Sequence, residues 1–141
     1  MRTYSVPLTL INLQDDGFHL LVEIVVFGQR HFAVVDTGAS RTVFDRTLIE
    51  TNIPDSSLAE ETQATTLFST STTILASIPI IVIGEKIRIK SYSTVCLDLT
   101  SVNETYQQLG HPVIAAILGG DILLEYQAKI DYRKLKLRLY K

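Results

Sequence analysis

The stretch Val34-Val35-Asp36-Thr37-Gly38-Ala39-Ser40 decides how this chain is read. Two β-branched residues carry a strand to its end, and an acid, a hydroxyl and a glycine follow at once. A strand end holds a carboxylate on a rigid element. Gly38 lets the backbone turn sharply and leaves room beside that carboxylate. The Thr37 hydroxyl is placed to bond across to a second copy of the same loop. An Asp-Thr-Gly tripeptide is short, and its plain reading is a turn aspartate that caps a loop. Its setting makes it more specific, because a hairpin strand lies immediately upstream and Ala39-Ser40 follow.

Working outward, the pattern is one of short strands. Val6 to Leu13 is rich in β-formers, Asp15-Asp16-Gly17 reads as a turn, and Phe18 to Phe27 is almost continuously apolar. Gly28-Gln29 suits a two-residue hairpin loop, so Arg30 to Val35 is the returning strand. Thr42-Val43-Phe44 reads as a brief strand and Asp45 to Thr51 as a short helix capped by Asp45. Thr62 to Thr73 is dominated by Thr and Ser and reads as a polar hairpin. Ile74 to Ile83 and Lys86 to Leu97 flank the turn Gly84-Glu85. Ser101-Val102-Asn103-Glu104 has the capping-box pattern of a helix running to about Leu109. Val113 to Leu118 is a wholly apolar run of the kind found in buried strands. A second helix spans Asp121 to Tyr126, and Ala128 to Asp131 with Lys134 to Tyr140 alternates as a hairpin does.

Composition sets the limits. The 141 residues are 46% apolar and 20% charged, with a net charge of −2, which suits a globular chain with one sizeable core. Residues 1–141 are therefore read as a single domain. The basic cluster Arg133, Lys134, Lys136, Arg138 and Lys141 alternates with apolar residues, so it is one solvated strand face rather than a nucleic-acid surface. Cys96 is the single cysteine and reads as a small buried hydrophobe. No apolar run suffices for a membrane span, and Ile74 to Ile83 is about half the required length. The N-terminus lacks a signal-peptide core, so a cytoplasmic location is expected unless a leader has been removed. His19, His31 and His111 have no metal-ligand spacing, and Asp15-Asp16-Gly17 lacks the remaining positions of a calcium loop. Neither metal nor cofactor is expected.

A lone carboxylate cannot act as acid and base together. Two held about 3 Å apart cannot both ionise and so share a proton. One then activates a water while the other polarises a carbonyl. The chain contains one Asp-Thr-Gly, and neither Asp121 nor Asp131 has the flanking Thr-Gly. The second carboxylate must then come from another copy related by a two-fold axis.

With these features in place, the chain resembles the retropepsin-like aspartic proteases of the single-domain bacterial and retroviral type. Two motifs carry the resemblance, Val34 to Ser40 and Ala116-Ile117-Leu118-Gly119-Gly120-Asp121-Ile122-Leu123, about eighty residues apart. The tail Ile130-Asp131-Tyr132 with Leu135, Leu137 and Leu139 also looks like the bacterial members. The resemblance implies an all-β fold, a closed β-barrel with one or two short helices. It implies an aspartic endopeptidase acting on a peptide or protein substrate as a homodimer. Asp36 would be catalytic, Thr37 would interlock the loops, and Gly38, Ala39 and Ser40 would form the active-site and substrate-binding loop. Ile117, Leu118, Gly119 and Asp121 would be the structural second motif, with Asp121 bonding the loop or capping the helix. The flap would fall near Thr66, Leu67, Phe68 and Ser69. Flaps of this family are glycine-rich at the tip, whereas Thr62 to Thr73 contains no glycine. That departure keeps a second reading open, an inactive dimerisation or peptide-binding module on the same fold. A third is an unrelated β-barrel binding domain with an accidental motif.

Overall fold

The structure is a computed structural model and describes residues 2–54, 59–65 and 70–141. The chain runs β1 (Thr3–Asn12), a 3-10 turn (Gln14–Asp16), β2 (Phe18–Val26), β3 (Gln29–Val35), β4 (Val43–Asp45), α1 (Arg46–Asn52), β5 (Ala59–Thr65) and β6 (Thr70–Ile83). It continues through β7 (Ile87–Leu97), α2 (Thr100–Gln108), β8 (Ile114–Leu118), α3 (Gly120–Glu125), β9 (Lys129–Asp131) and β10 (Lys136–Tyr140). Neighbouring strands follow the order β5-β6-β7-β4-β8-β3-β2-β1-β10-β9, and β6 pairs again with β2 at Val25↔Val82. That extra pairing joins β2, β3, β8, β4, β7 and β6 into a six-stranded closed barrel. Closure satisfies the backbone groups that open sheet edges would leave unpaired.

The expected all-β barrel is present. Three short α-helices accompany it among the described residues, rather than one or two. The first hairpin turns one residue earlier than expected, at Phe27-Gly28, with Val26 paired to Gln29. Both turn residues have positive φ, 51° and 73°. This is the twist a two-residue hairpin requires, with glycine in the second central position.

Two expected helix caps do not form. Helix α2 begins at Thr100 and the Ser101 hydroxyl makes no cap bond; instead the Asp98 carboxylate accepts the Thr100 amide at 3.0 Å. Asp45 does precede α1, but its carboxylate accepts the Leu99 amide at 3.1 Å. The cause is topological: β4 lies parallel to β7 with Asp45 opposite Leu97, so Leu99 is within reach.

Among the described residues, two apolar clusters hold the fold. The larger fills the barrel with residues including Val22, Ile24, Phe44, Ile81, Ile83, Leu118, Leu137 and Leu139. In β10 the buried Leu137 and Leu139 alternate with half-buried Lys136 and Arg138, which places the basic side chains outward as expected. The smaller cluster lies on the other face of β2 and β3, where Ile11, Leu21, Val34 and Ile114 meet Leu99 and Tyr106 beside α2. Cys96 is buried in the larger cluster. Burial pushes its thiol pKa up to about 11, so it behaves as the small hydrophobe its context suggested. No helix among the described residues is long and apolar enough to cross a membrane.

Candidate active site

Strand β8 lies between the two arms of the Asp36 loop. On one side it runs parallel to β3, with Val34 opposite Ile117 and Val35 opposite Leu118. On the other it is antiparallel to β4, with Val43 opposite Ile117. Residues 36–42 therefore arch over the end of β8, where Gly119 and Gly120 lie. The Asp36 amide extends the parallel ladder by donating to the Leu118 carbonyl at 3.0 Å. This bond fixes the aspartate backbone to a strand in which four of five residues are buried.

Above that anchor Asp36 is exposed. Its Oδ1 accepts the Gly38 amide at 2.9 Å, and a Cβ added at Gly38 would lie 3.2 Å from the same oxygen. Glycine thus leaves the close approach unobstructed. The Ala39 amide donates to the Asp36 carbonyl at 3.2 Å and its carbonyl accepts the Gly120 amide at 2.7 Å, so both Ala39 backbone groups are engaged within the subunit. Thr37 and Ser40 are exposed, and the Thr37 hydroxyl has no partner among the described residues.

The underside of the loop is a polar node built on Asp121. Asp121 Oδ1 accepts both the amide and the hydroxyl of Thr42, each at 2.8 Å. The same Thr42 hydroxyl accepts the Gly119 amide at 2.9 Å. The Tyr92 hydroxyl donates to Asp121 Oδ2, and buried Thr94 sets its hydroxyl 3.4 Å from the Thr42 carbonyl. Burial pushes the Asp121 carboxyl up, but the hydrogen bonds from Tyr92, Thr42 and the Ile122 amide outweigh it and hold it below the usual carboxylate range. Tyr92 is displaced the opposite way, well above an ordinary phenol, by burial and by its bond to Asp121. The phenol therefore keeps its proton and the carboxylate stays ionised. Asp121 bonds the loop through Thr42, and no side chain caps α3.

Gly119 is the steric counterpart of this node. A Cβ there would lie 2.6 Å from the Arg41 carbonyl carbon, 2.7 Å from its oxygen and 2.8 Å from the Ala39 oxygen. Ile117 and Leu118 complete the second motif, Leu118 within the barrel core and Ile117 packed against the smaller cluster. The flap-tip candidates Thr66, Leu67, Phe68 and Ser69 lie outside the described residues; β5 and β6, which flank them, pair antiparallel from Ala59↔Leu75 to Thr65↔Thr70.

The three histidines are dispersed. His19 Nδ1 is 2.6 Å from the Tyr106 hydroxyl, and His111 Nε2 is 2.7 Å from the Asn12 carbonyl. His31 stands on β3 opposite Ile24, where burial lowers its pKa. Among the described residues no group of three or more His, Cys, Asp or Glu could hold a metal ion.

Thr42, Tyr92 and Tyr106 were missed in the sequence because their partners lie 79, 29 and 87 residues away. Thr42 alone had a local clue, its place at the far end of the loop that Asp36 begins.

The closed barrel has the retropepsin-like fold. The structure is similar to a retropepsin-like aspartic protease from Rickettsia conorii, with a TM-score of 0.59 and 19% identity over 99% of this chain and 96% of that one. It is also similar to the retroviral protease-like domain of Ddi1 from Leishmania major, with a TM-score of 0.53 and 14% identity over 82% of each chain. No family model and no curated protein matches the sequence.

Proposed function

We propose that this chain is one half of an aspartic endopeptidase. Asp36 from each of two copies would meet on a two-fold axis and share one proton. One carboxylate takes a proton from a water as it attacks the scissile carbonyl, and the other donates a proton to the carbonyl oxygen. The reaction needs no covalent intermediate and no cofactor. The observation that carries this reading is the contrast between two acids at one loop. Asp36 stands exposed on a rigid strand end, with Oδ1 oriented by Gly38. Asp121 is turned under the loop and committed to Thr42 and Tyr92. It cannot serve as the second catalytic acid without dismantling the loop that presents the first. The unpaired Thr37 hydroxyl beside Asp36 is suitably placed to reach the opposing loop.

The test is Asp36→Asn, assayed on a random-peptide library and by sedimentation. Cleavage by the wild-type chain should disappear in the variant, while the dimer mass remains. Undiminished cleavage by the variant, or a wild-type chain that stays monomeric while it cleaves, would refute the mechanism. The glycine-free stretch Thr62 to Thr73 favours one rival, an inactive peptide-binding module on the same fold. Peptide binding without turnover from acidic to neutral pH would select it.

A further inference from the structure

A second titratable pair stands beside the catalytic loop, and the protease mechanism makes no use of it. The β2–β3 ladder runs from Val26↔Gln29 to Leu21↔Val34. His19 on β2 and Asp36 after β3 each stand two residues beyond the last pair, Leu21↔Val34, at the same end of the ladder. Directly opposed residues of an antiparallel pair project from the same face. For Leu21 and Val34 that face is the smaller core, which also contains Tyr106 of α2. The His19 and Tyr106 rings meet edge to face, with centroids 5.9 Å apart and planes at 65°. The negative charge of Asp36 adds to burial in raising the Tyr106 pKa, so the phenol and the catalytic carboxylate share one electrostatic neighbourhood.

The hydrogen-bond pattern assigns the tautomer. Tyr106 is 2% exposed, and a buried hydroxyl needs an acceptor for its proton. Among the described residues His19 Nδ1, at 2.6 Å, is the one recorded partner of that hydroxyl. Tyr106 therefore donates to Nδ1, which places the ring N–H on Nε2. His19 itself is exposed, and Nε2 has no partner among the described residues.

We infer that His19, oriented by Tyr106, is a substrate-binding residue that donates from Nε2 to an oxygen of the peptide lying over Asp36. Tyr106 is a positioning residue: it fixes the ring's rotation and tautomer and does not itself reach the substrate. The acceptor is a carbonyl or carboxylate oxygen, since an N–H donor beside a peptide groove meets no other abundant acceptor. The inference rests on the protease reading above, because it needs a peptide in that groove.

The experiment takes peptides cut by the wild-type chain from a random library and measures kcat and KM for wild type, His19→Ala, His19→Gln and Tyr106→Phe. Loss of one hydrogen bond should raise KM about tenfold in His19→Ala. kcat should change by less than about twofold, the signature of binding lost equally from ground and transition states. His19→Gln retains an N–H donor and should recover part of the loss. Tyr106→Phe should raise KM in the same direction by a smaller factor. A rise for every peptide identifies a main-chain carbonyl as the acceptor, and a rise confined to peptides with Asp or Glu near the cut identifies a side-chain carboxylate. An unchanged KM in His19→Ala overturns the inference, as does loss of dimer mass in that variant, which would assign the imidazole to assembly. A wild-type chain that cuts nothing in the library brings down the protease reading, and this inference with it; that result is distinct from cleavage with an unaltered KM.

Discussion

Replacing Gly119 by alanine tests whether the Asp36 loop is positioned by what lies beneath it. The backbone at Gly119, φ −106° and ψ −173°, is extended and open to any residue, so the cost is purely one of contact. The new methyl would meet three backbone atoms at 2.6 to 2.8 Å. None is the end of a flexible side chain, so the loop as a whole must lift. Overpacking of this kind costs about 1–3 kcal/mol. Lifting also stretches the Gly119 amide bond to Thr42 and the neighbouring Gly120 amide bond to Ala39, 2.9 and 2.7 Å long, at about 1 kcal/mol each. The total is about 3–5 kcal/mol, a large part of the 5–15 kcal/mol that typically separates folded from unfolded states. Urea unfolding should show this loss directly, and the melting temperature should fall by about 10–20 °C for a chain of this size. Gly120→Ala is the control. Its Cβ would meet the Ala39 and Ser40 oxygens at 3.4 and 3.6 Å, which are ordinary contacts, and it opens α3, where alanine is favoured over glycine by about 1 kcal/mol. It should stay within about 1 kcal/mol of wild type. Displacing Asp36 by about 1 Å should lower the proposed peptidase activity about a hundredfold in Gly119→Ala. A Gly119→Ala chain as stable as Gly120→Ala would refute the steric account.

Other expectations concern titration and access. Asp121 is held below its unfolded pKa, so it contributes stability above about pH 4 that is lost as pH falls through the depressed folded value. Asp98 and Asp131 are shifted in the same direction by hydrogen bonds to Thr100 and Lys134. Removing the donor in Tyr92→Phe should cost about 1.5–3 kcal/mol at neutral pH and move the onset of acid unfolding, followed by circular dichroism, to higher pH. An onset at or below the wild-type value would contradict this account of Asp121. Cys96, buried and with its thiol pushed up to about 11, should resist a disulfide reagent at pH 8 in the native state and react at the rate of unfolding. Rapid labelling of the folded chain would count against its burial. The Asp36→Asn and His19 series test the catalytic and binding assignments.

Much of the barrel was legible in the sequence because its signals are local. Alternation and β-branched runs marked the strands, and the uninterrupted Val113 to Leu118 run announced a buried strand, which forms as Ile114–Leu118. Local signals failed where long-range partners competed. Asp45 and Ser101 both looked like helix caps, yet Asp45 was claimed by Leu99 across a parallel strand pair, and Asp98 replaced the Ser101 box. A side chain takes the best partner that folding brings to it, and sequence spacing reveals only the nearby ones.

By itself the sequence determined that a carboxylate would stand at the end of a strand, with a glycine beside it and a second glycine-bearing strand later in the chain. Those features depend on short-range backbone geometry, which neighbouring residues fix. Tertiary structure alone decided that Gly119 lies beneath Arg41 and that Tyr92 and Thr42 hold Asp121 inward. Each of those contacts joins residues far apart in the chain, and they exist only because β8 is inserted between β3 and β4 as the barrel closes.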